Sequence, residues 1–346
     1  MKDYIRINRA FDQKSIQVTK NNVAIMQEAG LYPKEFTYPL TLQFELTGQC
    51  NLACKHCYNR SGDKDRITLM TPEKWCELAH EIVEDGGVFQ CIISGGEPLL
   101  LGDKLFDIMD ILHEDGTSFV VITNGYLLNS EKVRRFLKYR FFWFQISIDG
   151  INAEMHDEFR GVKGSWERAV NGALEISNCG IPLTIAHSVT KNSLKHLEDM
   201  VNLAYELGAG NVILGEILPS GRALTNSEVI LSYEQRNFLY KQIQELASKY
   251  KGKIEVQRAA DLKTQMARYA CETNAGGIIR PNGDFRLDCM APFIIGNVLE
   301  KPLKEIWDEK GKYAWKTSAV QQFISSIDEN TQMGNVKNHI GRDIHL

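Results

Sequence analysis

The stretch Pro39-Leu40-Thr41-Leu42-Gln43-Phe44-Glu45-Leu46 runs into Thr47-Gly48-Gln49-Cys50-Asn51-Leu52-Ala53-Cys54-Lys55-His56-Cys57-Tyr58. Leu40, Leu42, Phe44 and Leu46 alternate with polar residues, the period of a strand. Three cysteines at C-x3-C-x2-C spacing then sit on the loop at that strand's carboxyl end. Thiolates this close converge on one centre, and soft thiolates select zinc or iron–sulfur clusters. Zinc normally takes four ligands. Three cysteines on one loop suit a [4Fe–4S] cluster whose fourth iron is left for another ligand. A zinc site that borrows His56, and reduced cysteines without a role, are the competing readings.

Outward from this loop the chain alternates strand and helix. Thr71 and Pro72 open a helix as N-cap and first-turn proline, with an apolar stripe of Trp75, Leu78, Ala79, Ile82 and Val83. Further strands are expected at Val88–Ser94, Phe119–Thr123, Phe142–Ile148, Leu183–Val189 and Val212–Ile217. Between them lie helices, with Asn129 and Ser165 as caps and Gly208 as a C-terminal stop. A last long helix starts at Ser232, with Gln235 completing a capping box, and runs to about Tyr250. Six βα units imply a parallel sheet with right-handed crossovers, two short of a full barrel. The fold class is α/β, a partial (β/α)6 TIM-type barrel. Ligands of such sheets sit at the carboxyl ends of the strands.

The 346 residues are 43% apolar and 24% charged, with a formal net charge of −4. That is an ordinary globular balance with no basic excess for nucleic acid. No run approaches the ~18 apolar residues of a membrane span, and no signal core opens the chain. A cytoplasmic protein is the expectation. Eight cysteines are too few for a disulfide scaffold; Cys76, Cys91 and Cys179 read as core residues.

With the cysteine loop placed after a first strand of a six-unit barrel, residues Leu40 to Leu218 resemble the radical S-adenosylmethionine (SAM) enzymes. Later strand ends carry the resemblance as well. Ser94-Gly95-Gly96-Glu97-Pro98 resembles the family's GGEP motif, and Thr123-Asn124-Gly125 its TNG. Ser147-Ile148-Asp149-Gly150 and His156-Asp157-Glu158-Phe159-Arg160-Gly161 resemble the SxDG and HDxxRG stretches of peptide-modifying members.

The resemblance implies that Cys50, Cys54 and Cys57 hold a [4Fe–4S] cluster. It implies that Gly95, Gly96, Glu97 and Pro98 bind the SAM amino group. Thr123, Asn124, Ser147, Asp149, Ser188 and Asn192 are implied as further SAM contacts. Arg160 is implied to reach the SAM carboxylate. His56, at a position that is usually aromatic, and Tyr58 lie near adenine or cluster. Reductive cleavage of SAM would give a 5′-deoxyadenosyl radical that takes hydrogen from substrate; the catalytic residues proper are unknown.

Beyond residue 250 the rhythm breaks. Ile278–Arg280, a Pro281-Asn282-Gly283-Asp284 turn and Phe285–Leu287 read as a β-hairpin, and Pro302 opens a short helix with Leu303, Ile306 and Trp307. The expected division is an N-terminal extension over 1–38, the barrel over 39–250, a small hairpin-plus-helix domain over 251–320 and a polar tail over 321–346. Cys271 and Cys289 flank the hairpin, which resembles the start of a SPASM or twitch domain, a holder of auxiliary iron–sulfur clusters. No cysteine follows Cys289, so the auxiliary site is incomplete. Three readings stand: a cluster completed by other ligands such as His339 or His345, a degenerate domain without a cluster, or a cluster shared with a partner.

The function implied is a radical SAM enzyme acting on a peptide or protein, by crosslinking, oxidation or epimerisation, with a flavodoxin- or ferredoxin-type electron donor. Alternatives are a small-molecule substrate such as an aminosugar or a tetrapyrrole, and a non-catalytic iron–sulfur protein. Arg222, after the sixth strand, reads as a substrate-carboxylate contact or a solvated loop residue.

Overall fold

The computed structural model describes residues 22–63, 68–327 and 343–346. Its eleven described strands form one sheet. Strands β1 (Thr41–Glu45), β2 (Gln90–Ser94), β3 (Ser118–Thr123), β4 (Phe141–Ser147), β5 (Leu183–Val189) and β6 (Asn211–Glu216) are the six read from the sequence. Each pairs in parallel with its successor. Their carboxyl ends therefore share one rim.

The connecting helices include α1 (Pro72–Glu84), α2 (Asp103–Glu114), α3 (Ser130–Phe136), α4 (Ala153–Arg160), α5 (Ser165–Asn178), α6 (Leu197–Glu206) and α7 (Tyr233–Lys249). Their apolar stripes pack on the sheet, with Trp75, Ile108, Phe136, Ala173 and Val201 all fully buried. Trp75 also donates its indole N–H to the carbonyl of Leu46, pinning α1 beneath the cysteine loop. The Asn129 cap and the Ser232–Gln235 capping box form as expected. The Ser165 cap does not. Gly164 is the N-cap of α5, and Asp157 on α4 accepts from the N–H groups of Gly164 and Trp166. A carboxylate one helix away does the work assigned to a local hydroxyl, a pairing that local sequence cannot display.

Two parallel strands extend the six. Strand β7 (Glu255–Arg258) adds beside β6, and β8 (Gly276–Ile279) adds beside β1. The hairpin is thus continuous with the barrel sheet: β9 (Asp284–Asp288) pairs antiparallel with β8, and β10 (Ala291–Asn297) with β9. Helix α8 (Leu262–Tyr269) links β7 to β8, α9 (Leu303–Glu309) holds Leu303, Ile306 and Trp307 in the core, and α10 (Ser318–Ser325) follows. The short β11 (Ile344–His345) pairs in parallel with β10. Part of the N-terminal extension lies against this region. Gln27 donates to Thr273, Thr273 to the carbonyl of Pro33, and Trp307 to the carbonyl of Phe36.

Candidate functional site: the cysteine loop and the strand rim

The loop after β1 brings Cys50, Cys54 and Cys57 to the rim as free thiols, Cys54 buried and the other two half-buried. Amide groups point at two of the sulfurs. Leu52 N donates to Cys50 Sγ and Ser61 N to Cys57 Sγ, both at 3.4 Å. Asn124 Nδ2 lies 3.8 Å from Cys50 Sγ and 2.9 Å from Asn51 Oδ1. Burial raises the Cys50 thiol to about 12 and also raises Cys54. Binding of a metal centre must therefore displace protons.

The loop is held from three sides. On the first, the end of β2 runs beside it, with Gly96 N donating to Thr47 O and Glu97 N to Gln49 O. A Cβ on Gly96 would lie 1.8 Å from the Gln49 carbonyl oxygen, so only glycine fits. The glycine pair thus serves contact between two backbones. Glu97 is the residue expected at the SAM amino group. Its side chain is fully enclosed, accepting from Thr123 Oγ1 at 2.6 Å, Asn124 N at 2.8 Å and Leu99 N at 3.1 Å. Burial raises its carboxyl, and these donors oppose the rise. It braces β2 against β3, and Pro98 begins the short helical turn behind it.

On the second side stand β4, α4 and β5. Asp149 and Arg160 form a buried pair, with Nε at 2.8 Å and Nη2 at 2.6 Å from Oδ2. Asp149 Oδ1 accepts from Ser188 N at 2.6 Å. Despite burial, the Arg160 guanidinium and nearby histidines hold the Asp149 carboxyl well below its usual range. Two nitrogens of Arg160, the residue expected at the SAM carboxylate, bond Asp149. The amide of Asp149 donates to His156 Nδ1, so that ring is neutral with its proton on Nε2. His56 stacks on Phe159 at 4.6 Å between centroids, its Nε2 3.3 Å from Ser188 Oγ. The backbone of Ala53 and Lys55 donates to Arg160 O and Phe159 O, fastening the loop to α4.

The third side was missed in the sequence. Arg222 donates from Nε to Cys54 O at 2.8 Å and from Nη1 to Ser61 O at 3.1 Å, and pairs with Asp63 at 2.7 Å. Its amide donates to Cys57 O, and Asn226 Nδ2 donates to Lys55 O. Arg222 is therefore not a solvated residue; it clamps the loop. The signal was present, because Pro219-Ser220-Gly221-Arg222 follows β6 as the other polar clusters follow their strands. Gly221 has φ +57°, and a Cβ there would meet Cys57 O at 2.2 Å.

The other expected residues divide. Thr123, Asn124, Asp149, Ser188, His56 and Glu97 are joined by the bonds above, and Ser147 ends β4 beside them. Asn192 stands apart, exposed, while its neighbour Ser193 is buried and bonded to His187 Nε2 at 3.1 Å. Tyr58 donates to Glu45 at 2.8 Å. Asn51 Nδ2 and His56 Nδ1 are buried without a partner, the polar lining of a space a ligand would fill.

The remaining cysteines are dispersed. Cys91 is buried and Cys76 half-buried against the core, but Cys179 is exposed at the C-cap of α5, which corrects its core assignment. Cys271 lies in the turn after α8, its thiol donating to Ala267 O at 2.9 Å. Cys289 follows β9, its thiol pushed well up by burial and by Asp288. His345 is exposed on β11, and His339 lies outside the described residues. Among the described residues no three His, Cys, Asp or Glu side chains converge as one metal ion requires. His56, turned to Phe159 and Ser188, does not complete a zinc site. A cubane cluster differs from a single ion in offering each thiolate its own iron.

A cavity of about 860 Å³ opens toward the other ends of the strands, with Gln43, Trp143, Asn211 and Gln257 in its wall. Among the described residues its one cationic lining residue is Arg268, bonded to Glu272 at 3.0 Å; Glu255 and Asp288 are acidic. No described helix is long and apolar enough to cross a membrane.

Residues 44–204 match the Radical SAM superfamily model. The chain is 29% identical over 289 residues to the AdoMet-dependent heme synthase of Methanosarcina barkeri, covering 78% of this chain and 82% of that protein. It is 28% identical over 280 residues to the antilisterial bacteriocin subtilosin biosynthesis protein AlbA of Bacillus subtilis, covering 79% and 60%. In fold it is similar to Streptococcus suis SuiB bound to S-adenosylmethionine, with a TM-score of 0.65 at 16% identity over 97% of this chain and 80% of that one. The barrel rim, the cysteine loop seated on it and the match over 44–204 agree, and these residues form a radical SAM domain, of a superfamily whose enzymes use a [4Fe–4S] cluster and S-adenosylmethionine.

Proposed function

We propose that this enzyme modifies a peptide or protein substrate, with Cys50, Cys54 and Cys57 holding the cluster. The residues suit that group. Two of the thiols already receive amide donors, and hydrogen bonds to sulfur tune such centres. The polar groups around Asn51, Asn124, His56 and Ser188 suit the amino acid and nucleoside parts of SAM. Asp149, Arg160 and Glu97 act behind them as braces. When bound, cluster and SAM together supply a 5′-deoxyadenosyl radical; the chain binds, orients and excludes water.

The observation that carries the peptide reading is the similarity to a bacteriocin biosynthesis protein over 79% of this chain. AlbA is named for bacteriocin biosynthesis, and SuiB has been crystallised with its precursor peptide SuiA. A tetrapyrrole is the second reading, favoured by the 82% coverage of the heme synthase. Reaction of the loaded enzyme with SAM and either a deuterated peptide encoded beside its gene or a tetracarboxylate tetrapyrrole separates them. Deuterium in 5′-deoxyadenosine from the peptide alone supports the proposal; deuterium from the tetrapyrrole alone overturns it. The electron donor is proposed to be a flavodoxin or ferredoxin.

A further inference from the structure

Behind the cysteine loop lies a buried group of four charges. Arg280 follows β8, Arg286 is in β9, Glu45 ends β1 and Asp343 precedes β11. Their side chains are between 1% and 3% exposed. Asp343 Oδ2 lies 2.8 Å from Arg280 Nη1, and Oδ1 lies 3.3 Å from Arg286 Nη2. Arg280 Nε lies 3.4 Å from Glu45 Oε2, and Nη2 donates to Asn59 Oδ1 at 3.0 Å. Glu45 in turn accepts from the Tyr58 hydroxyl. Tyr58 and Asn59 are the two residues after Cys57.

Two arginines face two carboxylates, so the group is neutral as it stands. Without Asp343 the pair of guanidiniums would face Glu45 alone, leaving a net positive charge out of water. The arginines would then compete for Glu45 and draw it from Tyr58. Asp343 reaches this place because β11 pairs with β10 and Leu346 N donates to Ile294 O. A segment far along the chain is thereby coupled to the third cysteine through Arg280, Asn59, Glu45 and Tyr58.

We propose that Asp343 is a positioning residue for the cysteine loop: its carboxylate completes a buried ionic latch with Arg280, Arg286 and Glu45 that fixes Tyr58 and Asn59 behind Cys57. The latch serves the cluster by holding the loop. The hairpin is bound to the barrel through charges.

Hydrogen exchange of the metal-free protein tests it. Asp343→Asn should speed exchange of the amides over 50–62 by roughly tenfold, with α2 and α6 unchanged. Asp343→Glu should recover most of the protection. Leu303→Ala, which cuts a buried contact of α9 away from the latch, should lower the melting temperature without this local effect. If Asp343→Asn does not fold, Arg286→Met/Asp343→Asn keeps the group neutral and should fold while still exchanging fast in the loop. Unchanged loop exchange in a folded Asp343→Asn protein, or equal acceleration everywhere, overturns the latch. A second readout rests on the cluster reading: the reduced cluster's electron paramagnetic resonance spectrum should change in Asp343→Asn and return in Asp343→Glu. A wild-type chain that loads no iron defeats the cluster reading and leaves the exchange test intact.

Discussion

Arg222 Nε donates to the carbonyl oxygen of Cys54 at 2.8 Å, tying the end of β6 to the middle of the cysteine loop. The same guanidinium reaches Ser61 and Asp63, so a single side chain bridges both halves of the loop. Arg222→Met leaves two carbonyls and a carboxylate without these donors. The metal-free protein should lose on the order of 3 kcal/mol in urea unfolding. It should also retain less iron after gel filtration. Arg222→Lys keeps the charge beside Asp63 but not the fork, and should fall between. Wild-type stability in Arg222→Met would contradict the clamp.

Stability should depend on pH through the buried histidines His56, His156 and His187, all lowered by burial. Burial lowers His56 and His156 from 6.5 to about 4 in the folded chain. Between those values the unfolded chain takes up protons that the folded chain refuses. Stability is therefore full above about pH 6.5 and falls toward pH 4, by up to ~1.4 kcal/mol per pH unit for each ring. His156→Gln can still accept from Asp149 N and cannot titrate. Its urea midpoint should fall less steeply from pH 7 to pH 5 than that of the wild type; parallel slopes would refute the assignment.

The six strands and the cysteine loop were legible because each rests on local pattern. Leu42 and Phe44 alternate into the core, and Asn129 and Ser232 cap their own helices. Rim residues were legible as a set, since every parallel strand ends on the same side. Their individual duties were not. Glu97, Arg160 and Arg222 look like ligand contacts in sequence, yet Glu97 and Arg222 bond partners from another βα unit, and Arg160 bonds Asp149 across its own. Strand β7 escaped for the same reason, and so did the second partner of β8: the hairpin strand expected at Ile278–Arg280 also pairs along β1 from Gly276.

Gly96 is expected to tolerate no side chain. Alanine there places a Cβ against the Gln49 carbonyl, backbone against backbone, where no rotamer change gives relief. Gly96→Ala should lower the melting temperature and cut iron incorporation, whereas Gly210→Ala, with open space around it, should do neither. Equal behaviour of the two would remove the contact between β2 and the loop as a constraint.

Iron content separates the two groups of cysteines. Anaerobic reconstitution should load about four irons per chain. Cys54→Ala should abolish loading, and Cys271→Ser/Cys289→Ser should leave it unchanged. About eight irons in the wild type, falling to four in the double variant, would instead establish an auxiliary cluster.

The central claim is that the cysteine loop supports radical chemistry on SAM. Its most direct test is anaerobically reconstituted protein reduced with dithionite and supplied with SAM, analysed for 5′-deoxyadenosine. Release of 5′-deoxyadenosine by the wild type and none by Cys54→Ala is the predicted result. A wild type that loads iron and forms no 5′-deoxyadenosine, with or without peptide, would contradict the account.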